Sequence, residues 1–367
     1  MERHLVAVVD GNPKARQQIS DALLSFYAMV EYPDATRALA GMGVVIPSLV
    51  LVGEQTPPFG GIDFIRTLRQ ERSLAKVPVL FIANNDDPEL VVAALEFADA
   101  HLVKPYRRSA LIRAVSAHLN YGIERKWEAL PPLQREALKG TVEVFNSISD
   151  VIDKGEPIAY GTVCDACSPL VEAVAKNDFR SILSGVRDYD NYSYAHSLRV
   201  ATLLSLFGYT IGLPQADQLL LASGGLLHDV GKMSIPHEVL NKPGRLTPEE
   251  WVIMRGHVPA SVHYLKKAHE PIPKGIITIA EQHHEKLDGS GYPNGLVSAQ
   301  LNELARMASI VDVFGALTDR RIYKPPMDAE LALKIMVDEM VGHLDQKLVK
   351  LFKEMLLDAV VGPNGEA

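Results

Sequence analysis

Cysteine is almost missing from this chain: two occur in 367 residues, Cys164 and Cys167, spaced C-x-x-C. A four-cysteine zinc site needs two more, so the pair reads as ordinary reduced thiols near a helix start. No apolar run approaches the ~18 residues of a membrane span. The first apolar stretch, Leu5 to Val9, is also too short for a secretion signal. Both absences imply a soluble, cytoplasmic protein with no membrane partner. Positive charge is not in excess either, with 37 Lys and Arg against 45 Asp and Glu and a net charge of −8. That argues against a binder of nucleic-acid polymers, which is usually basic. Local basic groups could still hold an anionic ligand. Repeats and low-complexity segments are absent as well.

Apolar residues are plentiful at 47%, enough for a core in each of two or three domains. Histidine is concentrated: nine of the twelve fall between His196 and His343. Core or surface histidines would be scattered. In that region His228-Asp229 stands apart from His283-His284, which is followed by an acidic, Gly-rich loop ending Gly289-Ser290-Gly291-Tyr292-Pro293. A doubled His, a separate His-Asp pair and such a loop read as a metal site that hydrolyses a phosphoester.

Residues 1–119 alternate short β-branched runs (Leu5–Val9, Ser48–Val52, Val77–Ile82, His101–Val103) with amphipathic stretches at Lys14–Phe26, Ile62–Gln70, Glu89–Ala98 and Arg107–Leu119. Strands without alternation are buried on both faces, which predicts an α/β doubly wound parallel sheet. This part resembles a response-regulator receiver domain, which implies five strands. Asp10 follows the first strand and Lys104-Pro105 the last. The family's phosphorylation chemistry does not carry over. Its acidic pair is here Asp10-Gly11, its acceptor Asp is Gly53 with Glu54 beside it, its Ser or Thr is Ala83, and its switch aromatic is His101. The expectation is a pseudo-receiver that works through protein contacts with signalling partners.

Residues 120–160 read as a helical linker. Pro131-Pro132 can open a helix, and Leu138, Val142, Phe145, Ile148 and Ile152 recur at near-heptad spacing up to Gly155. Two readings stay open: a helix packed on its own neighbours, or a homodimer or signalling helix. The pseudo-receiver is a second candidate for a homodimer contact.

Residues 161–367 read as all-helical, with helices predicted at Leu198–Phe207, Gln218–Leu227, Glu249–Tyr264, Ile276–His284 and Leu304–Leu317. Thr247-Pro248-Glu249-Glu250 has the form of a capping box. On a helix, His228 and Lys232 would share a face, being four apart. Asp312, inside an apolar helix, needs a partner. Over roughly residues 180–355 the chain resembles the HD-GYP family, a branch of the HD-domain metal phosphohydrolases known for degrading cyclic di-GMP. The motifs are Asp190-x-Tyr192-x-x-x-His196-Ser197, His228-Asp229-x-Gly231-Lys232, His257, His283-His284 with the complete loop, and Asp312.

The resemblance implies seven metal ligands: His196, His228, Asp229, His257, His283, His284 and Asp312. Five His and two Asp suit two divalent ions, with Asp229 as the shared carboxylate. The family leans toward Fe or Mn. Some members place a Glu where this chain has Tyr192, which helps hold a third metal; its absence here favours two. His263 and His269 have no counterpart and read as surface residues. On the substrate side, Lys232 would face the phosphate, Tyr292 a guanine or the sugar-phosphate, and Arg321 and Lys324 would grip phosphates. The implied activity is a phosphodiesterase in bacterial second-messenger signalling, cutting cyclic di-GMP to pGpG and on to GMP, with Asp229 and Lys232 as catalytic residues. One departure matters. The family motif after Asp312 has a second Asp, replaced here by Gly315. That keeps open a catalytically weak or inactive cyclic-dinucleotide sensor or scaffold. An HD phosphohydrolase acting on another nucleotide is the remaining alternative.

Overall fold

A computed structural model describes residues 4–361, except 25, 188, 241, 243 and 320–326. It divides into two compact units, one formed chiefly by residues 1–122 and the other by 123–240 and 244–367.

In the first unit five strands alternate with helices: β1 Leu5–Val9, α1 Pro13–Leu23, β2 Ala28–Tyr32, α2 Ala35–Met42, β3 Leu49–Gly53, α3 Gly61–Gln70, β4 Val79–Ala83, α4 Pro88–Leu95, β5 Ala100–Val103 and α5 Arg108–Trp127. All pairings are parallel, in the order β2-β1-β3-β4-β5. Alternate residues serve opposite faces. Ala7, Val9, Val50, Val52 and Phe81 pack with α2, α3 and α4 residues, whereas Val6, Val8, Leu49, Leu51 and Ile82 pack with α1 and α5 residues. Two covered faces explain why the strand sequences lack alternation. The edge strand β2 is half-buried, and no run of purely apolar residues betrayed it.

The crevice of such a sheet lies where β1 and β3 end, at the switch in strand order. A side chain at Gly53 would run into the Asp10 carboxylate. That carboxylate is buried, accepts from the Asn12 amide at 2.8 Å and lies 3.8 Å from Lys104 Nζ. Glu54 turns away, accepting from the Asn84 amide at 2.7 Å.

In the second unit the helices are α6 Pro132–Lys154, α7 Tyr160–Ala175, α8 Arg180–Gly185, α9 Tyr192–Thr210, α10 Gln215–Leu227, α11 His237–Leu240, α12 Pro248–Arg255, α13 His257–Lys266, α14 Lys274–Gln282, α15 Glu303–Thr318, α16 Ala329–Asp338 and α17 Gln346–Val361. The α6 residues Leu138, Val142, Phe145 and Ile148 are buried in this unit's core with Val163, Leu170, Tyr194 and Leu198. Of the two readings of its near-heptad face, the packed one describes what is found. Helix α9 is buried nearly all round and feeds two core clusters, as a central helix must. Gly225 of α10 lets the two helices touch: a Cβ there would lie 2.7 Å from the Ala201 backbone. That approach is what brings the ends of α9 and α10 to one site.

Two local predictions need correction. The single helix expected over Glu249–Tyr264 is two, α12 and α13, separated by Gly256. Thr247 does form its capping box with Glu250. And α10 stops at Leu227, followed by a 3₁₀ turn over Val230–Ser234. With three residues per turn, Lys232 falls over Asp229, not beside His228.

Candidate metal centre

Five segments deliver the seven proposed ligands. His196 sits in the second turn of α9, His228-Asp229 at the end of α10, His257 at the start of α13, His283-His284 just past α14, and Asp312 inside α15. They form two groups whose ligand atoms lie within 4.8 Å of one another: Asp229, His257, His283 and His284 in one, His196, His228 and Asp312 in the other.

The hydrogen bonds decide which nitrogen of each ring is available. His228 Nδ1 donates to the Gly225 carbonyl at 2.7 Å, His257 Nδ1 to that of Met254 at 2.6 Å, and His283 Nδ1 to those of Ile279 and Ala280 at 3.1 Å. A carbonyl can only accept, so each Nδ1 carries a proton, and in the neutral ring that leaves Nε2 with the lone pair. These carbonyls belong to the last turns of α10, α12 and α14, where the helix ends leave acceptor capacity to spare. Ending each helix at its histidine thus fixes the tautomer. The His228, His257 and His283 Nε2 atoms and Asp229 Oδ1 are all buried without a hydrogen-bond partner. Unpaired buried polar atoms are costly, and four sharing one space match a cation.

Both carboxylates straddle the two groups. Asp229 Oδ1 lies 3.2 Å from His257 Nε2 and 3.6 Å from His283 Nε2, while Oδ2 lies 3.1 Å from His228 Nε2. Asp312 Oδ1 lies 3.0 Å from His196 Nε2 and Oδ2 3.7 Å from His284 Nδ1. Burial alone would raise both carboxyls. The Lys232 ammonium instead holds Asp229 well below the usual range, and the hydrogen bond from His196 does the same for Asp312. Burial and the neighbouring His283 keep His284 neutral. For His196, burial is outweighed by its hydrogen bonds to Asp312 and Asp319, which push it up to about 9. Anionic carboxylates facing imidazole lone pairs are the donor set of a divalent metal. Tyr192 stacks on His196 with ring centroids 5.7 Å apart, an apolar face where a further carboxylate would be needed for a third ion.

The loop after His284 forms one wall. Gly289 has φ +78°, the left-handed region that favours glycine. The buried Glu285 carboxylate ties the loop back, accepting from the Asn294 amide at 2.6 Å and the Leu296 amide at 3.0 Å. Tyr292 packs on His284 with centroids 4.7 Å apart, and the Arg255 guanidinium covers its ring at 5.1 Å. Burial, then Asp229 and Asp312, raise the Tyr292 phenol above its usual range, so it stays a neutral donor. Lys232 Nζ rests on Asp229 Oδ2. Arg321 and Lys324 lie outside the described residues. His263 and His269 are exposed.

Three residues with clear roles here escaped the sequence reading: Glu285, Arg255 and Asp319. Only Glu285 left a signal, as the acidic residue directly after the doubled His. The others act across segments distant in sequence.

Residues 183–348 match the HD domain family, and residues 6–116 match the response regulator receiver domain family. HD domains bind divalent metals. A cyclic di-GMP phosphodiesterase of Pseudomonas aeruginosa is 36% identical over 192 residues, 50% of this chain and 45% of its own length. A 3′3′-cGAMP-specific phosphodiesterase of Vibrio cholerae is 38% identical over 160 residues, 44% of this chain and 31% of its own. The chain thus spans less than half the length of both. A cyclic di-GMP phosphodiesterase response regulator of Xanthomonas campestris pv. campestris is 28% identical over 333 residues, 89% of this chain and 82% of its own.

Proposed function

We propose that this chain, a receiver domain followed by an HD domain, is a metal-dependent phosphodiesterase that opens cyclic di-GMP to linear pGpG, with GMP as the product of a second cut. The observation that carries the reading is the set of four buried, unpartnered donor atoms on His228, Asp229, His257 and His283. With His196, His284 and Asp312 they make room for two divalent ions, Fe or Mn as the resemblance to the HD-GYP family implies. Bound metals would supply Lewis-acid stabilisation of the phosphoryl oxygens and an activated water.

The chain's own groups do the rest. Asp229 would serve both positions, since its Oδ1 faces His257 and His283 and its Oδ2 faces His228. Lys232, whose Nζ rests on Asp229 Oδ2, would meet a substrate phosphate. Tyr292 offers a phenolic hydroxyl at the wall, and Arg321 and Lys324 hold phosphate oxygens as fork and point charge. Cyclic di-GMP is favoured by the complete loop and by relatives that bear that activity in their names. A second reading, hydrolysis of 3′3′-cGAMP, is favoured by the 38% identity to the Vibrio cholerae enzyme.

Anaerobic incubation of Fe- or Mn-loaded protein with each dinucleotide, followed by chromatography, tests both. We expect pGpG from cyclic di-GMP, formed faster than any product of 3′3′-cGAMP. The opposite order moves the assignment to the second reading. Tight binding without product from either, over many hours, leaves a sensor in place of an enzyme.

A further inference from the structure

His196 is held differently from His228, His257 and His283, the three other proposed ligands with an engaged Nδ1. Those three follow helix ends and donate to carbonyls of the last turn. His196 lies inside α9, where the carbonyls behind it are already taken by the helix. Its Nδ1 partner comes from another element: Asp319 Oδ2, at 2.8 Å, from the residue that caps the C-terminus of α15. The other oxygen of that carboxylate accepts from Arg199 Nη1 at 2.6 Å. Arg199 stands three residues beyond His196 on α9, so Asp319 clips two neighbouring side chains of that helix. The Asp319 amide in turn donates to the Gly315 carbonyl at 2.7 Å, which fixes the carboxylate's own backbone.

Gly315 is where the sequence motif carries its second Asp. A Cβ built there would lie 3.2 Å from His196 Cε1, 3.3 Å from His196 Nδ1 and 3.6 Å from Asp319 Oδ2. Positions 315 and 319 are one helical turn apart, so both address the same edge of the imidazole. A carboxylate at 315 and one at 319 would compete for one N–H in a buried space.

We propose that Asp319 is the positioning residue that orients His196 for metal binding, and that Gly315 is its paired change, clearing the space that the relocated carboxylate needs. The lost Asp is therefore a moved carboxylate, not a disabled site. This inference rests on the metal-centre reading above. Carboxylates that hold a ligating His typically change metal affinity 10–100-fold when removed.

Metal-stripped full-length protein titrated with Co²⁺, followed by visible absorption and elemental analysis, separates the possibilities without an activity assay. Wild type should take up two ions. Asp319→Ala should keep one at wild-type affinity and bind the other roughly 10–100-fold more weakly. Asp319→Asn, whose amide oxygen still accepts from Nδ1, should fall between them. Gly315→Asp alone should weaken the same ion by pressing on the ring. The double variant Gly315→Asp/Asp319→Ala should bind it better than Asp319→Ala does, a rescue that a merely structural capping role would not give. If Asp319→Ala does not fold, the Asn and double variants carry the test. Wild-type affinity for both ions in Asp319→Ala and Asp319→Asn would overturn the inference, as would a double variant no better than the single. Wild type that binds no Co²⁺ overturns the metal-centre reading itself and this inference with it.

Discussion

His196 shows how one side chain serves two electrostatic regimes. Between Asp312 and Asp319 its pKa is pushed up to about 9, against an unfolded value near 6.5. A raised histidine stabilises the fold fully below the unfolded value, and that stabilisation is lost as pH rises through the folded one. Metal-stripped protein should thus melt at a lower temperature at pH 9.5 than at pH 6.5, by a contribution on the order of 3 kcal/mol. His196→Gln should flatten that slope in a calorimetric pH series; an unchanged slope would show that other groups set it. Lys232 poses a different question, because it contacts Asp229 and is proposed to face the substrate phosphate. Lys232→Ala should keep its metal and lose roughly 10²–10³ in kcat, read by steady-state kinetics alongside elemental analysis. In the receiver unit Gly53→Asp should not recreate a phosphate acceptor. The new side chain would overlap the Asp10 carboxylate, and such overpacking costs roughly 1–3 kcal/mol. Chemical denaturation measures that loss, and a neutral result would show that Asp10 can move aside.

At the scale of elements, the parts of the site that were legible in the sequence are those carried by short motifs. His228-Asp229, His283-His284 and the loop to Pro293 announce themselves because neighbours in sequence act together. Strands β1, β3 and β4 were legible because they are buried on both faces. What stayed hidden depends on distant pairs or on how a helix ends. The break at Gly256 is invisible to apolar periodicity, which runs on across it, yet it places His257 Nδ1 against the Met254 carbonyl. The 3₁₀ turn after α10 moved Lys232 from His228 to Asp229. Asp319 touches a residue more than a hundred positions away. Glu285 is the element-scale anchor of the substrate wall, with two charge-assisted bonds to the loop amides. Glu285→Ala should leave both amides unpaired, cost about 2–3 kcal/mol and raise KM by loosening Tyr292. Thermal melting with a substrate titration reads both, and an unchanged KM would show that the loop holds itself.

On the scale of the whole molecule, the two units carry different chemistry. In sequence the two stretches read differently, because a parallel sheet and a helical bundle bury apolar residues with different periods. The first unit keeps Asp10 and Lys104 of a phosphorylation site but fills the acceptor's place with the Asp10 side chain. Acetyl phosphate or beryllofluoride with Mg²⁺ should therefore leave it unlabelled and unchanged in mass and in amide exchange; stoichiometric uptake would contradict this. The second unit holds the claim on which the rest depends, that Asp229 joins two metal positions. Elemental analysis of the full chain tests it most directly. Wild type should carry two ions per chain, the exposed His263→Ala control the same two, and Asp229→Ala should lose most of both; full occupancy in Asp229→Ala would contradict it.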